Sequence, residues 1–167
     1  VHLHPQLGAD QALLVEAGFR LETGRATVRG TVDRVEEAPT EPGGPPRVLV
    51  VDLKTGSQVT GPQAEVNPQL AAYQLAVDRG AFEDLPVGAT SAGAMLLYVG
   101  ATGAKDGSKK RQPALDEDRT AWAAGLIDTV AQSMAASTFR ATRNDDCRRC
   151  PVRSSCPVQP EGGQVTS

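Results

Sequence analysis

Apolar residues recur at every second position in two stretches near the start of the chain. In "LLVEAGFRLETG" (13–24), Val15, Ala17, Phe19 and Leu21 share one face, which predicts a strand with one buried side. "ATVRGTVDRVEE" (26–37) predicts a second, with Val28, Gly30 and Val32 on one face and Arg29, Thr31 and Asp33 on the other. "ETGR" between them suits a tight turn. "APTEPGGPPR" (38–47) carries four Pro and two Gly, so it predicts a long loop joining neighbouring strands. "VLVVDLK" (48–54) then opens with an unbroken apolar run, the pattern of a central strand covered on both faces.

The period changes in "NPQLAAYQLAVDRG" (67–80), which predicts a helix. Asn67 is a good N-cap, Pro68 suits the first helical position, and Gly80 suits the stop. Leu70, Tyr73 and Val77 fall on one face. "AGAMLLYVGA" (92–101) predicts a fourth strand and "KDGSKKRQP" (105–113) a polar, basic loop. "DEDRTAWAAGLIDTVAQSMAAS" (116–137) predicts a second helix, with acids in its first turn and Trp122, Leu126 and Val130 on its buried side. The closing "PEGGQVTS" is expected to be disordered. Strands, helix, strand, helix is the order of an α/β protein, a mixed sheet with helices on its faces.

Composition narrows this further. The 167 residues suit one domain of ordinary size, and 40% apolar with 22% charged residues reads as globular and soluble. Aromatics are only 4%, so small aliphatic side chains must fill the core. No apolar run approaches the ~18 residues of a membrane span, and no export signal is visible, so a cytoplasmic protein with no membrane partner is expected. The chain starts at Val1 rather than Met, so it is expected to be a piece of a longer protein. A net charge of -3 argues against broad polyanion binding but leaves room for a local basic channel.

The third strand raises a chemical question, because it ends in an acid and a base. Asp52 and Lys54 are two apart, so they project from the same face. If the second and third strands pair, Asp33 comes beside Asp52. Two carboxylates suit Mg²⁺ or Mn²⁺, which keeps waters and takes further ligands from a phosphate. A lysine beside them can position a water or stabilise developing charge. Phosphodiester hydrolysis needs these parts, although an isolated D-x-K is more often a salt bridge at a strand end. Gln69 and Tyr73, four apart on the next helix, stack on one face that can look back at the site. The plainer alternative is an amphipathic helix with Tyr73 in the core.

Taken together, "GTVDRVE" (30–36), "VVDLKTG" (50–56) and "NPQLAAYQLAV" (67–77) resemble the PD-(D/E)XK nuclease superfamily in its RecB-like branch. The resemblance covers about residues 15–100. It implies a restriction-endonuclease-like mixed β-sheet flanked by helices. It also implies a metal held by Asp33 and Asp52, a catalytic Lys54, and a Q-x-x-x-Y helix that places Gln69 and Tyr73 at the site. Members carry a metal-binding His on a helix well before the first strand. Here only His2 and His4 lie upstream, close to that strand and beside Pro5, so the family His is expected on a preceding piece.

"CRRCPVRSSC" places Cys147, Cys150 and Cys156 within ten residues. An odd, tight group reads as a metal or cluster ligand set in a reducing compartment rather than a disulfide framework. Such sites usually want four ligands. The tail resembles that of RecB-like nucleases of AddAB- and AdnAB-type helicase-nucleases, where three Cys after the nuclease core and one before it hold a 4Fe-4S cluster. That implies a fourth Cys outside this chain and a fragment with impaired cleavage. Arg140, Arg143, Arg148, Arg149 and Arg153, and separately Lys109, Lys110 and Arg111, could line a path for a DNA backbone, or could simply be solvated surface.

The expected organisation is a nuclease core at 1–139, a cysteine-rich iron-sulfur tail at 140–160 and a disordered end at 161–167. The expected function is Mg²⁺- or Mn²⁺-dependent, exonuclease-like hydrolysis of DNA, single-stranded or at ends. It would belong to a helicase-nuclease in double-strand break repair, with a helicase domain or partner subunit alongside. Two rivals are a nuclease-like domain that binds DNA without cutting, and a metal-bound structural module centred on the cysteines.

Overall fold

The computed structural model describes residues 12–100, 108–138, 140–160 and 162. His2, His4, the 101–107 stretch and the chain end, Gly162 apart, lie outside the described residues. In chain order the elements are β1 (Ala12–Glu22), β2 (Thr27–Ala38), β3 (Arg47–Lys54), α1 (Gly61–Glu65), α2 (Pro68–Asp78), β4 (Thr90–Tyr98), β5 (Ser108–Pro113) and α3 (Glu117–Ala135). The strands form one five-stranded sheet in the order β1-β2-β3-β4-β5. All neighbours are antiparallel except β3 and β4, which run parallel because α1 and α2 carry the chain back between them. This is the mixed α/β architecture that the alternation of periods predicts.

β3 lies centrally and is buried on both faces, as its unbroken apolar run requires. Val48 and Val50 pack with Val32, Val35, Leu70, Leu75, Ala94 and Leu96 in the main core. Val51 turns the other way and packs with Met95 and Leu97. Each fully buried Leu or Val contributes about 1.5–3 kcal/mol of transfer free energy. α2 is buried on most of its surface, including Leu70, Ala71, Tyr73, Gln74, Leu75, Ala76 and Val77. Its start is fixed by Asn67, whose side chain accepts the Leu70 N–H at 3.0 Å, and by Pro68. Gly80 (φ 63°) ends it in the left-handed conformation that a side chain would strain.

Four expectations change. The stretch 108–113 is not loop but the edge strand β5; its charged side chains suit an edge, and the position that faces the core is a glutamine, so no apolar alternation marks it. α1 was not expected: five residues are too few for a periodic pattern, and a capping box between Thr60 and Gln63 sets its start. Val15 is 62% exposed, because Glu16 adopts φ 51° and a register shift between Ala12 and Leu14 breaks the alternation. On α3, Trp122 packs on the core as expected, but Val130 is 56% exposed, and the other core contacts come from Ala123, Ala124 and Ile127.

Two compact units divide the chain, Val1–Ala131 and Gln132–Ser167. The second holds two short 3₁₀ turns, Asp145–Arg149 and Arg153–Ser155, which carry or flank the three cysteines. Among the described residues, no helix is long and apolar enough to cross a membrane.

Candidate active site

The sheet forks where the acids sit. β3 stays paired with β4 as far as Lys54↔Tyr98, but its ladder with β2 stops at Arg34↔Val51. Asp33 and Asp52 are the next residues beyond that last pair, so the fork brings the two carboxylates together. Leu53 N–H is left without a backbone partner on β2, and Asp33 Oδ2 accepts it instead at 2.6 Å. Beside the fork, the side chain of Arg34 is buried and ion-paired to Glu36, with Nε 2.6 Å from Oε1.

Asp52 and Lys54 share the face of β3 that α2 covers. Asp52 Oδ2 lies 2.6 Å from Lys54 Nζ as an ion pair. Lys54 Nζ donates to Gln69 Oε1 (3.2 Å), and Gln69 Nε2 donates to the Tyr73 hydroxyl (2.7 Å). The Q-x-x-x-Y spacing therefore acts as a relay from helix to strand, with Gln69 as the link. Tyr73 is fixed from behind by an edge-to-face contact with Phe19, ring centroids 5.8 Å apart.

Burial sets the electrostatics. Asp52 is 4% exposed, and that burial pushes its carboxyl above the usual Asp range. The Lys54 ammonium close against it, and the Tyr73 hydroxyl, pull it down less strongly, while the Asp33 charge adds to the rise. For Lys54, burial pulls downward, but the close Asp52 carboxylate outweighs it and holds the ammonium above its ordinary value. Burial likewise raises the Tyr73 phenol, so it stays neutral.

Asp33 and Asp52 are hard oxygen donors, and a test of fit for a divalent ion is available. Asp52 Oδ2 is buried with no aligned hydrogen-bond donor among the described residues, because the Lys54 contact is an ion pair off the line of a hydrogen bond. A buried carboxylate oxygen that is ion-paired to Lys54 but has no hydrogen-bond donor in line, beside a second carboxylate, suits a further cation. A small divalent ion needs only one or two protein carboxylates when a substrate phosphate completes its shell. The pair fits on those terms. Among the described residues no group of three His, Cys, Asp or Glu side chains is placed to hold a metal.

The same observation bears on the tail. Cys147, Cys150 and Cys156 are free, half-exposed thiols. Cys147 Sγ accepts from Asn144 N–H at 3.3 Å within its own turn. The thiols have the right chemistry for an iron-sulfur cluster, but they do not converge on one point as arranged. The expected basic groups are also split. Strand alternation on β5 sets Lys110 apart from Lys109 and Arg111. Arg143 Nε donates to Val158 O (2.6 Å), and Arg149 pairs loosely with Asp146.

Gln74 and Gln112, at 0% and 1% exposure, are two buried polar residues that periodicity did not single out. Leu70, Gln74 and Val77 stand at i, i+4 and i+7, so a glutamine inside the apolar stripe of α2 was the available signal.

A mixed sheet whose central strands part to present two carboxylates and a lysine, under a helix carrying Gln and Tyr, is the frame of a phosphodiester-cleaving enzyme. Over residues 3–157 the sequence matches the PD-(D/E)XK nuclease superfamily, and the chain belongs to it. Compared with the curated proteins, the sequence matches none.

Proposed function

We propose that the domain is a Mg²⁺- or Mn²⁺-dependent deoxyribonuclease acting on single-stranded DNA or DNA ends, within a helicase-nuclease of double-strand break repair. The observation that carries this is the buried oxygen of Asp52, unpartnered by any aligned donor and set beside Asp33 and the Lys54–Gln69–Tyr73 relay. Asp33 and Asp52 would hold the metal, which when bound polarises a phosphate and activates a water. Asp33 also fixes the end of β3 through Leu53 N–H. Lys54, kept as a cation, offers charge to the phosphate oxygens as they become more negative. Gln69 holds Lys54 in place, and Tyr73 offers a neutral hydroxyl to the strand being cut.

For the tail, we propose Cys147, Cys150 and Cys156 as three ligands of a structural 4Fe-4S cluster, with the fourth supplied from elsewhere. The spacing and the thiolate chemistry support this reading. A helicase domain or partner subunit would feed DNA to the site.

Cleavage of end-labelled single-stranded DNA in Mn²⁺ tests the nuclease reading. In the full-length protein the wild type should cut, while Asp52→Ala and Lys54→Ala should bind DNA without cutting it. Full cleavage by either variant sinks the assignment. DNA binding by a wild type that never cuts would favour the non-cleaving reading. A visible absorption band after anaerobic reconstitution, lost in Cys150→Ala, tests the cluster.

A further inference from the structure

Gln112 sits on the edge strand β5, two strands from Asp52 and three from Asp33, yet its side chain is 1% exposed. Its Nε2 donates to Ala64 O (3.2 Å), Glu65 O (3.0 Å) and Asn67 O (3.1 Å). Three carbonyls around one atom require the amide nitrogen there, with two hydrogens shared among them. These are the carbonyls where α1 ends and α2 begins. Ala64 O and Asn67 O also accept the Asn67 and Ala71 N–H groups, so this junction has one fixed geometry.

The other end of the same amide reaches further along α2. Gln112 Oε1 accepts from Gln74 Nε2 at 2.9 Å; Gln74 Nε2 also donates to Pro113 O, and its Oε1 accepts from Ser91 Oγ. One side chain thus grips α2 at Asn67, before its first turn, and at Gln74, two turns on. Gln69 and Tyr73 lie between these grips. Gln69 and Tyr73 move with the helix, so rotation and translation of α2 decide whether Gln69, already bonded to Tyr73, also reaches Lys54 on β3.

We propose that Gln112 is a positioning residue for the candidate active site: by fixing α2 at Asn67 and Gln74 it sets the reach of Gln69 to Lys54 on β3. Part of this rests on the nuclease reading, since its effect on cleavage presupposes that reading, but the geometric part does not. A side chain with that role acts on the chemical step rather than on substrate affinity, because misplacing a catalytic group by about 1 Å can cost on the order of 10²-fold.

The test is Gln112→Met, which keeps the length and apolar volume and loses every hydrogen bond. It is compared with Gln112→Asn, in case the first does not fold, and with Ser91→Ala, which trims the same network away from the junction. All are assayed well below their melting temperatures. Single-turnover cleavage by Gln112→Met should fall about tenfold or more, with DNA affinity within about twofold of wild type. In a Gln69→Ala background the further loss should be under about twofold, because the residue acts through Gln69. Ser91→Ala should lose stability but keep its cleavage rate. Full cleavage by Gln112→Met, or an undiminished loss in the Gln69→Ala background, overturns the proposal.

NMR of the Gln69 side-chain amide and the Tyr73 ring gives a readout independent of activity. Both should shift in Gln112→Met and stay near wild type in Ser91→Ala. Unchanged Gln69 and Tyr73 signals overturn the proposal even in a protein that cuts. Shifted signals in a protein that never cuts would leave the geometry standing and the nuclease reading fallen.

Discussion

The Asp33 carboxylate accepts the Leu53 N–H at 2.6 Å, across a fork where the two strands no longer pair through their backbones. One side chain therefore closes the end of β3 and presents an acid to the site. The two roles can be separated. Asp33→Asn keeps a carbonyl oxygen for Leu53 N–H and removes the charge, whereas Asp33→Ala removes both. Asp33→Asn should melt within a few degrees of wild type, and Asp33→Ala lower still by about 0.5–1.5 kcal/mol of stability for the lost, solvent-exposed hydrogen bond. Both should fail to cut. Thermal melts with parallel cleavage assays decide this; equal stability of the two variants would mean that the Leu53 bond carries no weight.

Asp52 gives a pH dependence whose sign is fixed by its raised carboxyl. A group with a folded pKa above its unfolded value contributes stability that is full below the ordinary Asp range, near pH 3.9, and lost as pH rises through the raised value. At neutral pH the ionised Asp52 is therefore a net cost to the fold. Asp52→Asn should melt higher than wild type at pH 7, and the difference should vanish as the pH falls below about 3.5. Mn²⁺ should raise the melting temperature of the wild type and leave that of Asp52→Asn unmoved. A variant that melts lower than wild type at pH 7 would contradict the sign.

Much of this architecture is legible along the chain, for identifiable reasons. β2, β3 and α2 follow from period and caps, because their signals are local. Asp33, Asp52, Lys54, Gln69 and Tyr73 stand out by spacing, and the structure brings them together through one fork and one helix. β5 was hidden because its core-facing Gln112 buries itself through hydrogen bonds to carbonyls that only tertiary contact supplies. The reversal at Glu16 was hidden as well, since nothing in "LLVEAGF" marks a positive φ at a glutamate.

Gly30 illustrates a packing demand that alternation alone suggests only weakly. A Cβ there would come 2.7 Å from Phe19 Cε1 and 3.0 Å from Cζ. The Phe19 ring is wedged between Tyr73 and Phe82, at centroid distances of 5.8 and 5.3 Å, so it has little room to yield. Gly30→Ala should cost about 1–3 kcal/mol, which at about 2–4 °C per kcal/mol for a chain of this size is a visible fall in melting temperature. A melt unchanged from wild type would show that the ring moves freely.

Lys54 decides between two chemical roles, base and charge. Its folded pKa lies above the ordinary lysine value, since the close Asp52 carboxylate outweighs the downward pull of burial. The stability it contributes is therefore present at all pH values below about 10.4 and is lost only as pH rises through the raised value. With Asp52 free of metal, the side chain is therefore an ammonium across pH 6–9, able to donate and to stabilise negative charge. Lys54→Met should lower the single-turnover rate by about 10²–10³-fold. Lys54→Arg should keep the charge but lose the fit to Gln69, because a planar guanidinium cannot replace a point ammonium, and should recover only part of the rate. The wild type and Lys54→Arg should share the shape of their pH–rate profiles over pH 6–9. A limb near pH 8 in the wild type that disappears in Lys54→Arg would make Lys54 the base and overturn this assignment of its role.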